Sequence, residues 1–240
     1  MSIETKLVTI AENIPEVYEA GKQAEYDAFW DIYQRNGTRA NYHSAFAGEG
    51  WHKDTFKPKY LIAPNAVWGA KNLFYHFGLG YTDVLDFREV AHWFDFTNVD
   101  DASNMFDSAK INHIEIDLSN KCTNLNGCFS CEWNKTGRTH ITLKVSEKCT
   151  SYSSTFAYCG ELTHLFFMDG SKIAGSMGVS TATGLVKESI ESVIRALWDG
   201  ASGKTLTLSK TAVINAFGST TSQEWLNLVA TKSNWTISLV

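Results

Sequence analysis

The chain has 240 residues, 44% of them hydrophobic and 13% aromatic, which is enough to bury a substantial core and too apolar for a disordered segment. A net charge of −5 with no long basic run leaves out the clustered Lys and Arg that nucleic acid or an anionic membrane surface requires. No run of about 18 apolar residues is present to span a bilayer, so no membrane insertion is expected.

The N-terminus, MSIETKLVTIAENIPEVY, lacks the basic patch and apolar core of a secretory signal. Two readings follow: the protein stays in the cytoplasm, or it leaves by lysis, within a particle, or after a signal outside this sequence is removed. From about Ile14 to Tyr33 the apolar residues Ile14, Val17, Gly21, Ala24, Ala28 and Ile32 recur at steps of three or four, with Pro15 suited to a first turn. The spacing predicts a helix whose other side carries Tyr18, Tyr26, Phe29, Trp30 and Tyr33. Capping the end of a core is the favoured role, with attachment to a partner as the alternative.

Between Asn36 and Val99 short aromatic pieces broken by Gly and Pro point to short strands and turns, with VLDF (Val84 to Phe87) and FDF (Phe94 to Phe96) as weak strand candidates. The middle of the chain then repeats. With Phe106, Phe129 and Phe156 as anchors, Val99, Cys122 and Cys149 fall seven residues upstream, and Met105, Cys128 and Thr155 one residue upstream. Downstream, NHI, THI and THL align if the middle copy carries an insertion around Glu132 to Arg138, read as an edge loop bearing Trp133.

After His113, His140 and His164 the apolar residues alternate: Ile114, Ile116, Leu118; Ile141, Leu143, Val145; Leu165, Phe167. Period-two alternation marks half-buried strands, and one strand per repeat predicts a parallel ladder in a solenoid, not hairpins. In the C-terminal third, Leu185, Val186, Ile190, Val193, Ile194, Leu197 and Trp198 define a helix ended by Gly200. A strand at TLTLS, a helix around SQEWLNLVA and a final strand at NWTISLV follow, a fitting cap for such a stack.

The run Phe156-x-x-Cys159-x-x-Leu162-x-x-Leu165 resembles the A-F-x-x-C-x-x-L-x-x-I core of bacterial leucine-rich repeats of the BspA-like (treponemal) type. NMFDSAKINHIEID resembles a variant of it, with Ser108 and Ala109 where the cysteine would be. The middle copy is degenerate, with Cys131 one place early. The stretch EYDAFWDIYQRNGTRANYHSAFAG from Glu25, with the GW and FKPKY that follow it up to Tyr60, resembles the opening of short, signal-less repeat proteins of gut-type bacteria and their phages. The resemblance implies an α/β leucine-rich-repeat solenoid with a parallel sheet face, anchor Phe and Cys residues inside it, and a binding role on a bacterial surface or within a prophage-encoded particle. The expected layout is one elongated domain, with an N-terminal helix over 1–35, degenerate repeats over 36–98, clear repeats over 99–170 and a cap over 171–240.

With the isoleucines inward, His113, His140 and His164 share the outer face. Three histidines suggest a zinc site, but ligands must converge at about 2.0–2.1 Å from one ion, which a stacked row achieves poorly. Cys128-x-x-Cys131 beside Cys122 reads as core packing ahead of metal or redox chemistry, because Cys122 and Cys149 take the slot of Val99. GASGKTLT lacks the first glycine of a phosphate-binding loop and precedes a strand. The expectation is therefore a non-enzymatic module, without metal or cofactor, that binds a protein or glycan through His113, Glu115, His140, Thr142, Lys144, His164 and Phe166. A phage-tail structural part and a metal-dependent hydrolase using the histidine row are the alternatives, and the oligomeric state stays open.

Overall fold

The computed structural model describes residues 40–41, 44, 46–51, 54, 56, 68–131 and 136–240. The helix expected over 14–33 and the loop residue Trp133 lie outside them. The architecture is mixed α/β, and among the described residues every strand pairing is parallel. Strands β1 (Ala40–Asn41), β2 (Trp68–Gly69) and β4 (Val99–Asp101) form one small sheet, and β3 (Leu85–Asp86) pairs with β5 (Ile111–Asn112) in another. Single parallel bridges continue the first line from Asp101 to Asn124 and on to Ser151.

The expected central strands are present as β6 (Ile114–Asp117), β7 (His140–Lys144) and β8 (His164–Phe167), in the order β6-β7-β8. Their alternation is expressed as burial: Ile114, Ile116, Ile141, Leu143, Leu165 and Phe167 face the core. Each aliphatic side chain so buried contributes about 1.5–3 kcal/mol relative to exposure. A slip of one residue would send this whole set into water, so the register is firmly specified.

The phenylalanine anchors stack. Phe106 lies 5.8 Å from Phe129 and Phe129 lies 5.5 Å from Phe156, with ring planes within 10° of parallel. The stack extends upstream through Phe74, 5.1 Å from Phe106, to Phe46, 5.6 Å from Phe74. Backbone hydrogen bonds run between successive levels: Phe46 N–H to Leu73 O, Phe74 N–H to Met105 O, Phe106 N–H to Cys128 O, and Phe129 N–H to Thr155 O.

Two residues before each ring, at Ser44, Asn72, Asn104, Gly127 and Ser154, the backbone is left-handed, with φ between 51° and 64°. That conformation admits Gly freely and Asn more readily than most residues. At Gly127 it is reinforced by sterics, since a Cβ there would collide with Asn104 Oδ1.

The C-terminal strands β9 (Met177–Val179), β10 (Lys204–Leu208) and β11 (Trp235–Leu239) form a further parallel sheet, ordered β11-β10-β9. Three helices accompany them: α1 (Lys187–Ala196), α2 (Lys210–Phe217) and α3 (Gln223–Ala230). Ser209 and Ser222 cap α2 and α3 by accepting from the amides of Ala212 and Trp225, the usual remedy for unpaired N–H groups in a first turn.

Helix α1 buries Ile190, Val193 and Ile194 and lies along β8. Two of its serines replace a missing strand: Leu165 N–H donates to Ser189 Oγ at 3.0 Å and Phe167 N–H to Ser192 Oγ at 2.8 Å. The buried apolar side chains from Phe46 to Trp235 form a single cluster. No helix among the described residues is long and apolar enough to cross a membrane.

Three expectations need correction. Helix α1 ends at Ala196, not at Gly200, because Leu197 turns extended and bridges to Ile173. The FDF piece forms no strand: Phe94 and Phe96 follow two 3₁₀ turns, Phe87–Glu89 and Ala91–Trp93, and both rings pack into the core. The stretch ending at Arg138 is not all an edge loop, for Thr136 and Arg138 are each only 1% exposed.

Candidate functional site

The outer face of β6-β7-β8 brings the candidate residues together in register. Glu115, Thr142 and Phe166 pair across the three strands, His140 pairs with His164, and Asp117 with Lys144. Glu115 is exposed, while His113, His140, Thr142, Lys144, His164 and Phe166 are half-buried, so the row is less exposed than its sequence position suggests. His113 lies outside the strands, at a left-handed break (φ 50°) between β5 and β6, yet its ring still joins the row.

The imidazoles form a stack. His140 and His164 are 4.1 Å apart with planes 7° from parallel, and His113 is 4.8 Å from His140 at 36°. Phe166 lies two residues farther along β8, its ring 6.1 Å from His164 and tilted by 50°. The lone pair of an imidazole nitrogen lies in the ring plane, so stacked rings direct their nitrogens side by side and not towards one ion. Among the described residues no group of three or more His, Cys, Asp or Glu side chains is arranged to hold a metal.

A polar frame that the sequence pattern did not reveal fixes the row. Asn112 Oδ1 accepts from the backbone N–H groups of His113, Thr139 and His140 at 2.8–3.0 Å, and its Nδ2 donates to Thr139 Oγ1 at 3.0 Å. Thr139 Oγ1 lies 2.8 Å from His140 Nδ1, and Thr163 Oγ1 repeats the contact, 2.8 Å from His164 Nδ1. These hydroxyls engage Nδ1 and leave Nε2 outside the pair. The signal was present in the aligned NHI, THI and THL, in the residue before each histidine.

Charge enters from β3 and the turn beyond it. Asp86 Oδ2 lies 3.1 Å from His113 Nδ1, and Arg88 Nε donates to Asp86 Oδ1 at 2.9 Å. The Arg88 hydrogen bond holds the Asp86 carboxyl below its ordinary range. His140 is held below the ordinary histidine value, first by burial and then by repulsion from a charged His164 or His113. The face thus presents three stacked rings in which protonation of the central one, His140, is disfavoured.

Two shallow grooves flank the face. One, of about 240 Å³, runs beside β6 between Phe94, Asp95, Thr97, Glu115 and Asp117. The other, of about 360 Å³, lies between β8 and α1, lined by Phe166, Met168, Glu188, Glu191 and Arg195.

Behind the sheet, the five cysteines are buried free thiols. Cys122, Cys128 and Cys149 are core residues, as their alignment with Val99 and Met105 implies. Cys131 differs, for Arg138 reaches it through the interior. The guanidinium donates to the carbonyls of Phe106 (2.7 Å), Ala109 (2.9 Å), Phe129 (2.9 Å) and Ile111 (3.2 Å), and Nη1 lies 3.6 Å from Cys131 Sγ.

No family model, curated protein or solved structure matches the chain.

Proposed function

We propose that the chain is a leucine-rich-repeat solenoid of the BspA-like kind, one elongated domain acting as a non-enzymatic module that binds a protein or glycan through the outer face of β6, β7 and β8. The observation that carries this reading is the ring stack of His113, His140 and His164 beside the in-register Glu115, Thr142 and Phe166, with Lys144 next to them and a groove on either side. Rigid rings supply contact area at little entropic cost, and polar neighbours fix orientation, the composition found at interface centres. Stacked phenylalanines and parallel pairings at each level support the solenoid part of the reading, and the resemblance suggests a bacterial surface or a phage particle as its setting.

The test is an array of defined glycans and purified proteins probed with the wild type and with Phe166→Ala and His140→Ala. The expected result is at least one positive feature that weakens about ten-fold or more in both variants, about 1.4 kcal/mol of binding energy. Equal binding by all three proteins overturns the assignment of the face. Stoichiometric zinc in protein purified without a tag or chelator, lost in His140→Ala, favours a metal-dependent hydrolase instead.

A further inference from the structure

The least expected chemistry lies away from the histidine face, where Cys131 Sγ and Cys159 Sγ approach to 3.4 Å. Both residues are nearly closed to solvent, at 4% and 2% exposure. Their chain segments are adjacent, since Cys131 N–H donates to Ala157 O at 2.9 Å. Neighbouring parallel segments lie about 4.8 Å apart, inside the Cα separation a disulfide spans.

The surroundings of the two sulfurs differ. Cys131 Sγ has the Arg138 guanidinium at 3.6 Å and Thr136 Oγ1 at 3.5 Å. Cys159 Sγ lies 3.0 Å from Phe129 O and 3.4 Å from Cys131 Sγ, so its single proton has two acceptors in reach and turns to Cys131 when that sulfur is a thiolate. The other hydrogen bonds of the Arg138 side chain go to carbonyl oxygens, so a Cys131 thiolate supplies a neighbouring anion for a buried cation. Asp107 is the opposing charge and disfavours the thiolate.

We infer that Cys131 and Cys159 form a peroxide-oxidisable dithiol, with Cys131 as the attacking sulfur and Cys159 as the resolving one. The Cys131 thiolate attacks one oxygen of a hydroperoxide, forming an S–O bond and breaking the O–O bond. With hydrogen peroxide the departing hydroxide takes the proton Cys131 had released and leaves as water. Cys159 then attacks the Cys131 sulfenic sulfur, forming the S–S bond, and the displaced hydroxide leaves as water with the Cys159 proton. Two thiols are oxidised, one peroxide is reduced, and two waters are made.

Supporting this selectivity, hydrogen bonding from Cys159 and the charge of Arg138 outweigh burial and bring the Cys131 thiol down to about 6. Burial pushes the Cys128 thiol up instead. Cys122 and Cys149 also interact, but their shifts come chiefly from each other and from burial, not from a cation. That pair serves as the internal control.

The experiment treats the reduced full-length chain with hydrogen peroxide at pH 7, quenches with an alkylating agent after denaturation, and maps the cysteines by mass spectrometry. A Cys131–Cys159 disulfide is expected to form about ten-fold or more faster than any change at Cys122, Cys128 or Cys149. Cys159→Ser should stop at a Cys131 sulfenate that a cyclic diketone traps, and urea-unfolded wild type should lose the selectivity. The initial rate in the folded wild type should level off not far above pH 6. Uniform oxidation of the five thiols in the folded chain, or a Cys131 that stays reduced while another cysteine reacts, overturns the inference.

Discussion

The rings of His140 and His164 lie face to face at 4.1 Å, and each has a threonine hydroxyl 2.8 Å from its Nδ1. Two adjacent strands thus repeat one Thr-His unit, and the two rings pack as flat plates with His113 on the far side of His140. Protonating the central ring introduces charge into a stack that is half-withdrawn from water.

Stability should respond to pH through His140. Its value in the folded chain lies below the ordinary 6.5, so between those two values the unfolded chain binds more protons. The contribution is fully present above about pH 6.5 and is lost as pH falls from there through the folded value. Urea midpoints measured from pH 7.5 to 5 should decline over that window, and His140→Gln should flatten the part due to this residue.

Phe129 stands in the middle of the ring stack with neighbours on both sides. Phe129→Ala should cost about 3–5 kcal/mol in urea denaturation, whereas His140→Ala should be close to neutral at pH 7.5. Equal large losses at both positions would mean that the inward and outward faces have been misassigned.

Arg138 ties together carbonyls of two successive levels, Phe106 to Ile111 and Phe129, adding to the backbone hydrogen bonds that already join them. Arg138→Met keeps the apolar volume but removes the guanidinium's hydrogen bonds to the carbonyls of Phe106, Ala109, Phe129 and Ile111, each bond to a charged group being worth about 1.5–3 kcal/mol. A loss of at least ~3 kcal/mol is expected by denaturant titration. Arg138→Lys should recover little of it, since one ammonium cannot reach the positions the planar fork spans.

Gly127→Ala should destabilise by more than about 1 kcal/mol, because its φ of +64° and the close approach of Asn104 Oδ1 both oppose a side chain. Combining it with Asn104→Gly removes the steric part but not the conformational part. Thermal unfolding of the single and double variants separates the two.

The central strands were legible because alternation and burial are local: Ile114, Ile141 and Leu165 each announce a face within five residues. The ring stack was legible only downstream. Phe46 and Phe74 belong to it, but their spacings of 28 and 32 residues, against 23 and 27 later, follow loops of unequal length that hide the period. The left-handed positions escaped notice because Ser, Asn and Gly share a backbone conformation there without sharing a side chain. Arg138 was hidden for another reason. Its partners Phe106 and Ala109 lie 32 and 29 residues away, and a charge inside an apparent insertion carries no local sign of burial. At the candidate face, the histidines and Phe166 were readable from alternation, whereas Asn112, Asp86 and Arg88 arrive through pairings between distant segments.

The serines of α1 have a consequence for how the chain behaves in company. The outer edge of β8 offers donors at Leu165 and Phe167, the kind of border on which another polypeptide can template itself. With Ser189 and Ser192 in place, that border is closed from within the same chain. A protein cut before Lys187, or carrying Ala at both serines, would lose the closure, and its growth into concentration-dependent polymers, followed by light scattering, would mark what those two hydroxyls prevent.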